Sequence, residues 1–152
     1  VAYTIGPERL HEVRPALDGL ILDHYREVAH YQDRVPLAPR WSEYERLDRN
    51  QDLLIMAVRC DGELVGYAFW VLREHLHYAG HLVAYNDVIY LRPEHRRGRT
   101  GLRLIDESEY LLKCLGVDRI LWHLKPSHDW SPILKRRGYQ TEELILGKYV
   151  GA

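Results

Sequence analysis
The chain has 152 residues, enough for one sizeable core, and a single domain over 1–152 is expected. Its 21 Lys and Arg nearly balance 22 Asp and Glu, so the basic excess of a protein that lives on the nucleic-acid backbone is missing. No apolar stretch approaches the ~20 residues that span a membrane, no signal-peptide pattern opens the chain, and Cys60 and Cys114 read as small buried hydrophobes of a reducing compartment, so a cytoplasmic protein is expected.

In chain order, Val1 to Ile5 is a short strand candidate ended by Gly6-Pro7. From Pro15 to Tyr31 the apolar residues Leu17, Leu20, Ile21 and Val28 keep a helical period, with Pro15 suited to a first turn. Pro36 and Pro39 mark a loop, and Trp41 to Arg49 is a second short helix. Leu53 to Cys60 and Glu63 to Arg73 read as a strand pair around the Asp61-Gly62 turn, and His81 to Leu91 as a third long strand. Gly101 to Leu115 is the clearest helix, with Leu104, Ile105, Ser108, Leu111 and Leu112 in one stripe and Gly116 after its end. Arg119 to Leu124 is a strand, Ser131-Pro132 opens a short helix with Ser as N-cap, and Leu144 to Val150 is a last strand. Strands interleaved with helices in this order predict an α/β (α+β) fold, a three-layer α/β/α sandwich around one mixed sheet.

The stretch from Asp87 to Leu104 carries the chemistry. A strand ends at Leu91-Arg92-Pro93, and a loop containing Arg96, Arg97, Gly98 and Arg99 opens the N-terminus of the best helix. Helix N-termini present unpaired N–H groups and a positive partial charge, and so hold phosphates. Gly98 and Gly101 let a ligand approach the backbone, and the arginines add cationic donors.

This stretch resembles the acetyl-CoA-binding motif of the GNAT N-acetyltransferases, [Q/R]-x-x-G-x-[G/A] shortly after a strand that ends in an apolar residue, any residue and Pro. Arg96 matches the first position and Gly101 the last; Arg99 stands where the family has its middle glycine, with Gly98 one place earlier. The hairpin DGELVGYAFW, the late ILKRRGY and the element order extend the resemblance over nearly the whole chain, which looks most like small phage and prophage members. The resemblance implies a mostly antiparallel central sheet and an acetyl-CoA co-substrate. It implies backbone contacts to the pantetheine arm near Ile89 and Leu91, a pyrophosphate held by Arg97, Gly98, Arg99, Thr100, Gly101 and Leu102, and the Ser131 helix flanking the cofactor.

It further implies attack of a neutral amine on the thioester, which needs a proton acceptor. Asp87, six residues before Pro93 and sharing a strand face with Tyr85, Ile89 and Leu91 by alternation, is the candidate base, or else a structural hydrogen-bond acceptor. The usual acid tyrosine falls on Leu134, leaving Tyr139, Tyr149 or water. His30 and Tyr31, between the first two helices, lie where the family covers its acceptor site, and equally suit a solvated helix end. His75, His77 and His81 lack acidic or Cys companions at helical spacing; they are expected to line the pocket mouth, His77 among them, or simply to cap strands, and no metal is expected. The acceptor is an amine on a small molecule or a protein. Two other roles compete with catalysis: a non-catalytic acyl-CoA-binding module, and a phage-encoded modifier of a nucleic-acid base or host protein. Sheet edges at the C-terminal strand offer a route to a homodimer.

Overall fold
The computed structural model describes residues 1–152. Its elements are β1 (Tyr3–Glu8), α1 (Leu10–Val28), α2 (Trp41–Arg49), β2 (Leu53–Cys60), β3 (Glu63–His75), β4 (Tyr78–Leu91), α3 (Thr100–Cys114), β5 (Arg119–Leu121) and α4 (Ser131–Lys135). The five strands form one sheet in chain order, antiparallel from β1 to β4 and parallel between β4 and β5. The three-layer sandwich is therefore present.

Period-2 alternation divides the core between the two faces. Ile55, Ala57, Tyr67, Phe69 and Tyr90 meet Val13, Leu17 and Leu20 of α1, with Trp41, Tyr44 and Leu47 of α2 packed alongside. Met56, Val58, Ala68, Trp70 and Ala84 meet Leu104 and Leu112 of α3. The side chains of Val13, Leu17 and Leu112 are wholly buried, each contributing about 1.5–3 kcal/mol of transfer free energy.

Several boundaries differ from the sequence reading. β1 runs through Gly6-Pro7 and pairs Pro7 with Met56, because an edge strand tolerates a residue without an N–H. α1 begins at Leu10, with the Glu12 carboxylate accepting the Arg9 N–H at 2.6 Å, so Pro15 lies inside the helix. Ser131 is the first helical residue of α4, not its cap; its N–H donates to Asp129 Oδ1 at 2.9 Å and Trp130 holds the cap position. Cys114 is exposed at the end of α3 and Cys60 half-buried.

The strand expected at Leu144–Val150 is not formed. Leu144, Ile145 and Leu146 are 87%, 77% and 94% exposed. The tail instead touches Arg119 through Glu142 (3.9 Å) and lays the Tyr149 ring against Tyr31 (5.4 Å between centroids). With no backbone pairing it has nothing to satisfy a strand's ladder.

Candidate active site
The site is created by two local breaks in the sheet. β3 and β4 slip register between Phe69 opposite Val88 and Trp70 opposite Asn86, so Asp87 is a bulge residue. Asn86 is buried and fills the bulge, donating through Nδ2 to the Phe69 and Val88 carbonyls at 3.3 and 3.2 Å. β5 pairs with β4 only from Val83 to Tyr85, and beyond that point the two strands part. The Arg92 N–H donates to Val65 of β3, which sets the phase of β4: Ile89 and Leu91 turn their backbone groups to the open outer edge.

The bulge also corrects the expected faces. Asp87 reaches Tyr44 on the α1/α2 side, as Val88 and Tyr90 do, whereas Ile89 and Leu91 pack toward α3. An extra residue inverts the alternation beyond it.

A cavity of about 460 Å³ opens at the parting strands. Asn86 to Ile89 form one side, His123, Leu124 and Lys125 the other, and α1 with Val35 to Pro39 forms the cover. Tyr44 donates to Asp87 Oδ2 at 2.5 Å; burial, then the carboxylate, raises the Tyr44 phenol well above its usual range. His24 is hydrogen-bonded to the Tyr67 hydroxyl at 2.8 Å and stacked on Tyr90 at 4.8 Å. Burial pushes its imidazole down to about 4, so it is neutral at pH 7. Lys125 donates to the Val28 carbonyl at 2.5 Å, and burial lowers its ammonium.

His123, which the sequence reading passed over, spans the parting strands. Its Nδ1 lies 3.1 Å from the Asn86 carbonyl and its ring stacks on Tyr85 at 6.3 Å. A carbonyl only accepts, so Nδ1 carries the proton of this hydrogen bond. No spacing signal marked this residue; only the parting of β4 and β5 gives it a position.

The loop before α3 is the second half of the site. No backbone N–H from Arg97 to Leu102 has a partner within the chain. Gly98 takes the left-handed conformation (φ +85°), while Arg99 has φ −106°, which any L-residue adopts. A Cβ placed on Gly98 or Gly101 meets nothing within 4 Å, so the concave side is open. Consecutive unpaired N–H groups at the start of a fifteen-residue helix fit a pyrophosphate. Arg97 and Arg99 form no ion pair and remain available to it.

Arg96 does something else. Its guanidinium grips both Glu27 oxygens at 2.6 and 2.7 Å and donates from Nε to the Leu91 carbonyl at 2.7 Å. That hydrogen-bonded pair holds the Glu27 carboxyl below its usual range. Arg96 therefore ties the end of α1 to the end of β4 and to the loop.

Other expected residues lie outside the cavity. His30 and Tyr31 are exposed beside it, their place in the cover taken by Ala29 and Val35 to Pro39. His77 sits in the β3–β4 turn, its N–H on His75 Nδ1 at 3.1 Å. Tyr85 lies behind His123, under the Arg73 guanidinium at 4.6 Å. Ser131 is absent from the lining, to which its neighbour Trp130 contributes. Tyr139 donates to Glu109 of α3 at 2.9 Å, with burial raising its phenol to about 12, and Leu134 is buried. Arg137 is committed to Asp106 at 2.6 Å.

Comparison with known proteins then decides the family. Residues 20–139 match the model of the acetyltransferase (GNAT) family. The chain belongs to the GNAT acetyltransferases. GNAT members are N-acetyltransferases that use acetyl-CoA. No curated protein matches this sequence. Among solved structures, the chain is similar to an aminoglycoside acetyltransferase from an uncultured soil metagenomic sample, at 16% identity and a TM-score of 0.74, covering 100% of both chains. It is also similar to glucosamine-6-phosphate N-acetyltransferase from Arabidopsis thaliana (11%, TM-score 0.71, 99% of this chain and 100% of that one). A third is a predicted acetyltransferase with acetyl-CoA from Clostridium acetobutylicum (12%, TM-score 0.70, 98% and 97%). At these identities the likeness speaks for the shared GNAT fold. No helix is long and apolar enough to cross a membrane.

Proposed function
We propose that this GNAT protein transfers an acetyl group from acetyl-CoA to a primary amine by direct attack. The observation that carries the reading is the run of unpartnered N–H groups from Arg97 to Leu102, ending one open β-edge away from the cavity. Bound there, acetyl-CoA supplies an activated acyl thioester. The Arg97–Leu102 backbone with Arg97 and Arg99 takes the pyrophosphate. The outward Ile89 and Leu91 N–H groups pair with the pantetheine arm, and one polarises the thioester carbonyl. The Leu91 carbonyl is taken by Arg96, so it is the N–H of that residue that remains for the arm.

The acceptor amine must lose a proton while its nitrogen bonds to the acyl carbon and the carbon–sulfur bond breaks. Asp87 is the proton acceptor, directly or through water, and Tyr44 fixes its orientation. His123 Nε2 lies on the opposite wall and serves the same proton traffic. Tyr85 backs the His123 wall from outside the pocket, whereas His30, Tyr31 and His77 do not line it. The likeness to phage members has no counterpart among the three structures named above, and a nucleic-acid acceptor is disfavoured by the near-zero charge. The unpaired edge of β5 and the exposed Leu144–Leu146 segment favour a homodimer in which that segment pairs with a second copy.

The test is release of free thiol from acetyl-CoA that depends on added primary amine and grows as pH rises toward the amine's pKa. Thiol release that no amine accelerates contradicts the proposal.

A further inference from the structure
The chemistry of the cavity also constrains the acceptor, on the reading that this chain is an acyltransferase. The wall facing Asp87 is aromatic, made by Trp41, Tyr44 and Phe69, and the cover brings Val35, Leu37 and Pro39 against it. Among lining side chains Asp87 is the one carboxylate. Glu27, on the same helix as His24, is held by Arg96 at both oxygens. The one lining lysine, Lys125, donates to a backbone carbonyl, and half-buried His24 is hydrogen-bonded to Tyr67 and stacked on Tyr90.

An aminoglycoside brings several ammonium groups, each of which needs a carboxylate or water to leave solvent. This cavity offers one. A phosphosugar brings a dianion, which needs a cluster of free cations or unpaired N–H groups. The acceptor end has Lys125, held on the Val28 carbonyl, and the imidazoles of His24, His123 and His128, each already hydrogen-bonded within the chain. A single ammonium on an apolar body satisfies both ends: charge on Asp87, ring or alkyl surface on Trp41, Tyr44, Phe69 and Leu37. On the acyltransferase reading the 460 Å³ must also take the end of the pantetheine arm, which leaves room for a body of about one ring.

We infer that the acceptor is a small monoamine on an apolar, preferably aromatic, body, seated between Asp87 and the Trp41–Phe69 wall, and not a polycationic or phosphorylated amino sugar.

The experiment is calorimetric titration of the protein, free and loaded with CoA, with 2-phenylethylamine, an aminoglycoside and glucosamine 6-phosphate, repeated on Leu37→Asp. Leu37 is 37% exposed, so the substitution spares the core. The expected result is 2-phenylethylamine binding at least about tenfold more tightly than either sugar, with Leu37→Asp reversing the order by placing a charge against the apolar body. Tighter binding of either sugar, or no saturable binding of 2-phenylethylamine to either form, overturns the inference. Amine binding to a protein that takes up no CoA sustains the acceptor class and overturns the transferase reading instead.

Discussion

His24 is a half-buried base lining the cavity, and its environment makes a quantitative demand on stability. Its imidazole sits near 4 in the folded chain against an ordinary 6.5. The unfolded chain therefore takes up a proton first, and this group removes stability as pH falls from about 6.5 toward 4, with no further loss below that. At pH 5 the unfolded imidazole is almost fully protonated and the folded one almost fully neutral. Linkage then gives about 2 kcal/mol lost between pH 8 and pH 5. Carboxylates held low by arginines, Glu27 and Asp106 among them, lose their own contribution over lower pH, so the comparison must cancel them. Urea unfolding of the wild type and His24→Gln at both pH values does so. The wild type is expected to lose about 2 kcal/mol more than the variant, whose side chain does not titrate. Equal losses, or an NMR titration of His24 near 6.5, refute the argument that the Tyr67–Tyr90 niche keeps it neutral.

Other expectations follow from the same geometry. Arg96→Ala removes the tie between α1, β4 and the phosphate loop without removing a phosphate donor; the acetyl-CoA Kd is expected to rise by about tenfold, the worth of one charge-assisted hydrogen bond, and Glu27→Gln to reproduce part of that rise. Asp87→Asn is expected to lower kcat by at least about a hundredfold while leaving the acetyl-CoA Kd unchanged, and an unaltered kcat assigns Asp87 to structure alone. On the proposed homodimer, the wild type is expected to sediment as a dimer and Leu144→Asp as a monomer; a monomeric wild type or an unchanged variant mass contradicts tail pairing.

Much of the fold was legible because its signals are local. Leu53–Cys60 and Trp41–Arg49 appear with the expected bounds, since alternation and helical spacing need no tertiary help. Pro15 suits a first helical turn by itself, but Glu12 capping the Arg9 N–H starts α1 five residues earlier, at Leu10. The candidate loop before α3 was readable from Pro93, Gly98 and Gly101; its left-handed turn falls on Gly98, and Arg99 keeps an ordinary backbone conformation. What stayed hidden depends on contacts far apart in sequence. The bulge at Asp87 reverses the face of Ile89 and Leu91, and no pattern within β4 announces it. His24 and His123 gain their roles from Tyr67, Tyr90 and the Asn86 carbonyl, 37 or more residues away. Motif position points Arg96 at a phosphate, but Glu27, 69 residues earlier, claims its guanidinium.

The central claim is that the Arg97–Leu102 backbone holds the pyrophosphate of acetyl-CoA, and Gly101→Glu tests it most directly. A side chain at Gly101 meets nothing within 4 Å and the residue needs no left-handed backbone, while an acidic group in a helix's first turn favours the helix. Calorimetric titration with acetyl-CoA, alongside thermal unfolding, is expected to show saturable binding by the wild type and at least about a tenfold weaker Kd in a variant whose Tm is unchanged or higher. Equal affinity in the two proteins contradicts the account.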